Sequence, residues 1–156
     1  MVKFNNLHIM LLFLDIDGVM VPAKGWKSPE LLNDGFPEFS SKATIALQLL
    51  ISDNDTIMLT TSHKTNFSIE EWKNIFRNRG IHTNKIERLP ENIDNLNRKD
   101  EIVNWFKVNN TEENFIIIDD DTSLNDLPDY LKAHLVQPSS LIGLTEEHLV
   151  KLGELR

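Results

Sequence analysis

Residues 12–19 read LFLDIDGV, and the prediction of the fold starts from this stretch. The apolar run at residues 9–14 has the continuous hydrophobicity of a strand that is buried on both faces of a sheet. Asp15 and Asp17 follow it on the same side of an extended chain, so their carboxylates repel each other unless one is protonated or a cation lies between them. Gly18 then permits a sharp turn. The pattern predicts a ligand site beyond the carboxyl end of a strand in an open α/β sheet.

Length and composition predict one globular domain over residues 1–156. The sequence contains no Cys, which excludes disulfides, thiolate zinc sites and a thiol nucleophile and fits a reducing compartment. Residues 1–8 lack the basic start and the cleavage site of an export signal, and residues 9–14 are too few for a membrane span. We therefore expect a cytoplasmic protein with no membrane partner. The sequence does not indicate an oligomeric state.

The net charge of −8 disfavours indiscriminate binding of nucleic acid, but the charge is unevenly distributed. Between residues 64 and 99 there are eight basic and five acidic residues, a local balance of +3. The basic residues are Lys64, Lys73, Arg77, Arg79, Lys85, Arg88, Arg98 and Lys99. Two interpretations stand: solvated helix faces, or a surface that contacts a polyanion.

Hydrophobic periodicity predicts further strands at residues 56–59, 86–89, 114–118 and about 134–136. It predicts helices at residues 41–51, 68–79, from residue 98, and at 145–155, with Trp72 and Trp105 in the core. Ser40 or Ser41 is expected to cap the first helix and Ser68 the second. Alternating strands and helices indicate an α/β fold with a doubly wound, mainly parallel sheet. The loop at residues 20–40 is too short for a large cap domain.

The strand at residues 114–118 ends in three successive carboxylates, Asp119, Asp120 and Asp121. Such a cluster at a sheet edge is costly unless a divalent ion offsets its charge. An acidic cap for the next turn would need only one of them. Asp119 and Asp120 are therefore the candidate metal ligands, and Asp121 is expected to have a structural role.

These segments resemble the motifs of the haloacid dehalogenase-like (HAD) phosphatase superfamily, capless type. Residues 12–19 are similar to its first motif, a strand ending in Asp-x-Asp-Gly-(Val/Thr), and residues 57–62 to its second. Arg98-Lys99 and residues 114–121 match its third and fourth motifs. More narrowly, four segments together look like the small phosphatase-like domain of multidomain RNA-repair proteins: residues 15–19, residues 98–105, the strand ending at residues 119–121, and residues 143–148. The resemblance implies a Rossmann-like core.

The resemblance also implies a reaction. Asp15 would be the nucleophile that forms an aspartyl-phosphate, and Asp17 the general acid and base. Mg²⁺ would be held by Asp15, the main-chain carbonyl of Asp17, and Asp119 or Asp120. The Asp two positions after the nucleophile favours a phosphatase over the superfamily's dehalogenases and transport ATPases.

Further roles follow from the same resemblance. The hydroxyl of Thr60 would donate to a phosphoryl oxygen, with Thr61 and Ser62 as alternatives. Arg98 or Lys99 would stabilise charge on the transferred group, and the sequence does not separate them.

Substrate contacts are expected from Gly18, Lys24 and Trp26, although Trp26 alternatively anchors its loop on the core. His63 is expected at the surface. An open site suits a large phosphorylated substrate, so RNA or DNA ends are the candidate partners. The alternatives are a phosphatase for a small phosphorylated metabolite or nucleotide, and a non-catalytic Mg²⁺-binding module.

Overall fold

The computed structural model describes residues 9–23 and 28–156. Its sheet has five strands, all parallel, in the order β3-β2-β1-β4-β5. They are β1 (Met10–Leu14), β2 (Thr56–Leu59), β3 (Lys85–Arg88), β4 (Asn114–Ile118) and β5 (Leu135–Val136). The predicted doubly wound α/β fold is confirmed.

Five α-helices connect and flank these strands within the described residues. They are α1 (Ser41–Leu50), α2 (Ile69–Asn78), α3 (Arg98–Val108), α4 (Asp129–Lys132) and α5 (Leu149–Leu155). Polar side chains fix where the long ones begin, because each accepts a hydrogen bond from a free N–H of the first turn. Ser40 caps α1, Ser68 and Glu71 form a reciprocal capping box at α2, and Asn97 caps α3.

The sheet has a hydrophobic core on each face, as the continuous apolar run of β1 predicts. Met10, Leu12 and Leu14 pack in the core that contains residues of α1, α2 and α5. Leu11 and Phe13 point to the other core, which contains residues of α3 and α4. Trp72 is fully buried in the first core. Trp105 is only partly buried, and its ring meets the edge of Phe13 with a centroid distance of 5.1 Å.

The topology brings the predicted site together. The chain builds β1, β2 and β3 outward and then returns to place β4 beside β1, so the strand order reverses between β1 and β4. Leu14 lies in register with both Leu59 and Ile118. The next residues, Asp15, Thr60 and Asp119, therefore leave their strands side by side, at the crevice where doubly wound sheets bind ligands.

The segment between β1 and α1 holds no large cap in its described part, residues 15–23 and 28–40. Its only pairings there are the isolated bridges Asp17–Val21 and Leu31–Pro37. Lys24 and Trp26 lie outside the described residues, so their predicted substrate contacts stay predictions. In the part of the chain that the structure describes, no helix is both long and apolar enough to cross a membrane.

Candidate active site

Asp15 is the buried centre of the site, with 5% of its surface exposed. The guanidinium Nη1 of Arg98, from the first turn of α3, lies 3.4 Å from its Oδ1. The same Nη1 donates to Oδ2 of Asp119, and the Thr60 hydroxyl donates to that oxygen at 3.1 Å. Asp119 and Thr60 are fully buried. Two carboxylates thus share one arginine, which leaves an excess of negative charge inside the protein.

That excess changes the ionisation of the cluster. Burial raises the pKa of Asp15 to about 9, with a further rise from Asp119 that Arg98 only partly opposes. Burial also raises the pKa of Asp119, against the opposing effect of Arg98. Burial alone would lower the pKa of Arg98, but Asp119 and Asp15 outweigh it and raise that pKa. At neutral pH the two carboxylates are therefore not both ionised, and binding of a further cation would favour their fully ionised form.

Asp15, Asp119 and Asp120 each offer an oxygen, and these three oxygens lie within 4.8 Å of one another. Gly18 makes room for this arrangement: its φ is +80°, and a Cβ built on it would lie 2.0 Å from Oδ2 of Asp120. An all-oxygen, acidic donor set suits a hard divalent cation such as Mg²⁺. Asp121 accepts a hydrogen bond from the N–H of Ser123 at 2.9 Å and caps the following short 3₁₀ helix.

The Asp17 carboxylate is not one of the three whose oxygens cluster, and it is 56% exposed. Its Oδ2 lies 2.8 Å from Nε2 of His63, whose Nδ1 is 3.3 Å from the Asn66 side-chain amide. The Phe36 ring packs edge-on to the His63 ring at 5.7 Å. The His63 side chain lies at the surface, 39% exposed, and there it contacts Asp17, the predicted general acid and base. A metal-binding role for the Asp17 carbonyl stays a prediction.

The remaining candidates separate clearly. Arg98 lies in the site, whereas the Lys99 side chain makes no hydrogen bond or ion pair with any described residue, and only its backbone N–H donates to Ser123. Thr61 is buried, and its hydroxyl accepts from the N–H of His63 at 3.2 Å, which shapes the turn after β2. Ser62 is exposed beside it. Their roles toward substrate stay predictions.

The basic stretch at residues 64–99 does not form one exposed surface. Arg79 is buried and pairs with Asp34, and Lys64 is 3% exposed and pairs with Glu101. Arg88 donates to the main-chain carbonyls of Lys64 and Phe67, and Arg98 is in the site. These four cations therefore make contacts within the protein and do not form a solvated helix face, and contact of the stretch with a polyanion stays a prediction.

The sequence analysis did not predict the ion pair of Glu101 and Lys64, which lies next to Arg98. Glu101 Oε1 lies 3.8 Å from Nε of Arg98, and its Oε2 accepts from Nζ of Lys64 at 2.9 Å. The spacing of three residues between Arg98 and Glu101 on a helix was the available signal. Nothing in the local pattern pointed to Lys64, which lies 37 residues away from Glu101.

Comparison with known families agrees with this geometry. The model of one family, described as the HAD domain in Swiss Army Knife RNA repair proteins, matches residues 11–149 and so covers every element from β1 into the start of α5. No curated protein and no solved structure matches the chain. The resemblance read from the motifs is confirmed, and the chain belongs to the family of HAD domains found in Swiss Army Knife RNA repair proteins.

Proposed function

We propose that this domain is a Mg²⁺-dependent phosphomonoester hydrolase that forms an aspartyl-phosphate on Asp15. The main support is the buried carboxylate of Asp15, which lies where the strand order reverses between β1 and β4. Arg98 lies 3.4 Å from it, and oxygens of Asp119 and Asp120 lie beside it. Family membership supports hydrolase chemistry of this type. Mg²⁺, when bound by Asp15, Asp119 and Asp120, neutralises the repulsion between nucleophile and phosphate.

The protein's own residues would act in two steps. A carboxylate oxygen of Asp15 attacks phosphorus, the bond from phosphorus to the leaving oxygen breaks, and Asp17 gives that oxygen a proton. Water then attacks phosphorus, Asp17 takes its proton, and inorganic phosphate and free Asp15 are released. The contact with His63 at 2.8 Å holds the exposed Asp17 side chain in one orientation for both transfers.

Arg98 would bind the phosphoryl oxygens. Its Nη1 is engaged by Asp119 and Thr60, but its Nη2 donates to no described residue. A planar guanidinium that is anchored through Nη1 and can still donate from Nη2 suits an oxyanion that gains charge in the transition state. Thr60 donates to Asp119 in this structure, so it would have to turn its hydroxyl to reach the substrate.

For the substrate, we propose a phosphorylated RNA or DNA end. The family's description names RNA repair proteins, and Asp17 and His63 are exposed enough to admit the end of a long chain. A small phosphorylated metabolite or nucleotide is the second candidate. It is favoured by the net charge of −8 and by the burial of cations that would otherwise bind a polyanion.

The test is turnover of p-nitrophenyl phosphate and of 3′- and 5′-phosphorylated oligonucleotides, mononucleotides and sugar phosphates, with Mg²⁺ and with EDTA. We expect Asp15→Asn to lower kcat by about 10⁴-fold or more, as for loss of a nucleophile, while the protein stays folded. Equal kcat/KM for an oligonucleotide and its terminal mononucleotide, insensitive to salt, would favour the small substrate. Mg²⁺ binding with no turnover of any substrate would favour the non-catalytic module. Activity in Asp15→Asn would overturn the proposal.

A further inference from the structure

The guanidinium of Arg98 is buried, with 11% of the side chain exposed, yet it is incompletely hydrogen-bonded. Its Nη1 donates to Asp119 and Thr60, but Nε is a buried donor with no hydrogen-bond partner. The carboxylate oxygen Oε1 of Glu101 lies 3.8 Å from that Nε. Glu101 thus places a negative charge near Nε, whereas Asp15 and Asp119 lie near Nη1.

Glu101 is itself held by Lys64. The Nζ of Lys64 donates to Oε2 at 2.9 Å, and both side chains are nearly buried, with 4% and 10% exposed. Lys64 cannot easily shift, because its main-chain carbonyl accepts hydrogen bonds from the Trp72 indole at 3.0 Å and from Arg88 at 2.8 Å. The turn after β2 is thereby tied to the first turn of α3, from which Arg98 extends.

A buried ion pair is a poor source of stability, because desolvating two charges costs much of what their attraction returns. An apolar pair would join the turn to α3 at least as well. The ionic pair does something that an apolar one does not: it presents a fixed negative charge to Nε of Arg98 from within its own helix. That contact restricts the rotation of the guanidinium plane, which otherwise has only Nη1 to anchor it.

We propose that Glu101, held by Lys64, is a positioning residue that fixes the plane of the Arg98 guanidinium so that Nη2 faces the phosphoryl group. The inference rests on the proposed phosphatase function. Glu101 and Lys64 themselves do not touch the reacting atoms. Their effect on the rate passes through Arg98 alone.

The kinetic test is a double-mutant cycle on p-nitrophenyl phosphate. We expect Glu101→Gln, which keeps the shape and an acceptor for Lys64, to lower kcat/KM by about tenfold to a hundredfold, as for a misplaced catalytic group. In an Arg98→Ala background the same change should have no further effect, because its target is gone. Glu87→Gln is the matched control, since Glu87 is exposed on β3 and its side chain pairs with no described residue. An equal loss from Glu101→Gln in both backgrounds overturns the proposal.

Stability is separated from positioning by a second variant. Glu101→Gln leaves the Lys64 charge buried without its counter-ion, so unfolding is a competing cause of lost activity. The double variant Lys64→Met with Glu101→Gln removes both charges. We expect it to recover thermal stability but to keep the low kcat/KM. Recovery of both properties would mean that the pair serves stability only.

A third readout does not depend on turnover. In ¹⁵N-labelled protein without substrate, the Nε–H signal of Arg98 should be protected from solvent exchange, and it is assigned by its loss in Arg98→Ala. We expect Glu101→Gln to shift this signal and speed its exchange, while Glu87→Gln leaves it unchanged. An unchanged signal in Glu101→Gln overturns the inference. If the wild-type protein lacks phosphatase activity, this measurement still decides whether Glu101 orients Arg98.

Discussion

Arg79 and Arg98 are both buried arginines in acidic surroundings, and they differ in how completely they are paired. Arg79 has one carboxylate partner, Asp34, and its remaining donors reach the carbonyls of Pro37, Phe36 and Ile75. Arg98 faces Asp15, Asp119 and Glu101, and its Nε makes no hydrogen bond. The pKa values of the carboxylates also differ: the hydrogen bond from Arg79 lowers the pKa of Asp34 to about 2, whereas burial, with Asp119 beside it, raises the pKa of Asp15 to about 9.

The difference distinguishes a structural clamp from a site. Around Arg79 the charges balance and the donors are satisfied, so the cluster fastens residues 34–37 to α2 and needs nothing more. Around Arg98 negative charge exceeds positive charge, and the surplus lies at the sheet's switch point. Such a buried cluster either keeps a proton on a carboxylate, as the raised pKa of Asp15 indicates, or binds a cation.

In this comparison, the largest expected effects come from replacing each of the two arginines by alanine. Arg98→Ala should lower kcat by about 10²- to 10³-fold, as for a lost oxyanion contact, and should also lower thermal stability, because it leaves Asp119 buried without its cation. Arg79→Ala should cost about 3–5 kcal/mol of stability, because it leaves Asp34 without its partner, but should spare kcat at temperatures where the protein stays folded. Turnover of p-nitrophenyl phosphate and urea denaturation measure the two quantities.

Lys99→Ala tests whether Lys99, rather than Arg98, binds the phosphate. Its side chain pairs with no described residue, so we expect a change in kcat of less than about threefold, in keeping with surface substitutions. A large loss in Lys99→Ala together with a mild Arg98→Ala would move the phosphate-binding role to Lys99 and remove the contrast between the clusters.

Mg²⁺ should have the next largest effect, and it should depend on pH. A pKa near 9 means that Asp15 is mostly protonated at pH 6, so a metal must displace the proton to bind, whereas at pH 9 less displacement is needed. Without metal, the same raised pKa makes the site destabilise the fold as pH rises from about 4 to about 9. We therefore expect Mg²⁺ to raise Tm more at pH 9 than at pH 6, with a stabilisation of about 2.7 kcal/mol at a hundred times Kd.

Asp15→Asn supplies the control for that measurement. It removes one candidate ligand and the group that titrates, so both the Mg²⁺-induced rise in Tm and its pH dependence should shrink. The same rise in Tm in Asp15→Asn at both pH values would place the metal elsewhere. A rise that is larger at pH 6 would contradict the assigned direction of the pKa shift.

The sequence was sufficient to predict which strand ends form the site. Buried parallel strands are readable as apolar runs, and their first polar residues must meet at one edge, which is why Asp15, Thr60 and Asp119 could be placed together. The errors at element ends have local causes. The edge strand β3 begins one residue earlier than predicted, because only one of its side chains, Ile86, is buried. The last helix starts at Leu149, after a 3₁₀ turn at Glu146–His148.

The sequence was insufficient for the ion pairs behind the site. Lys64 with Glu101, and Asp34 with Arg79, join segments 37 and 45 residues apart, and each partner looks like an ordinary surface charge in its own segment. The contact between His63 and Asp17 spans 46 residues and depends on a turn that Thr61 shapes. Periodicity reports which residues are buried in a helix or strand, but it carries no information on which charges are paired across the fold.

The smallest expected effect is the loss, at acidic pH, of the stability that the pair of Asp34 and Arg79 contributes. The folded pKa of Asp34, about 2, lies below its ordinary value of 3.8 because of the hydrogen bond from Arg79, so its ionised form stabilises the fold. That contribution is complete above about pH 4 and is lost as pH falls through about 2, opposite in sign to the Asp15 cluster. Asp34→Asn keeps the size and one acceptor but removes the charge. The difference in Tm between the wild type and Asp34→Asn should be constant from pH 7 to pH 5 and should shrink toward pH 2. A difference that persists at pH 2 would mean that Asp34 acts by shape and hydrogen bonding, and the clamp would then owe little to charge.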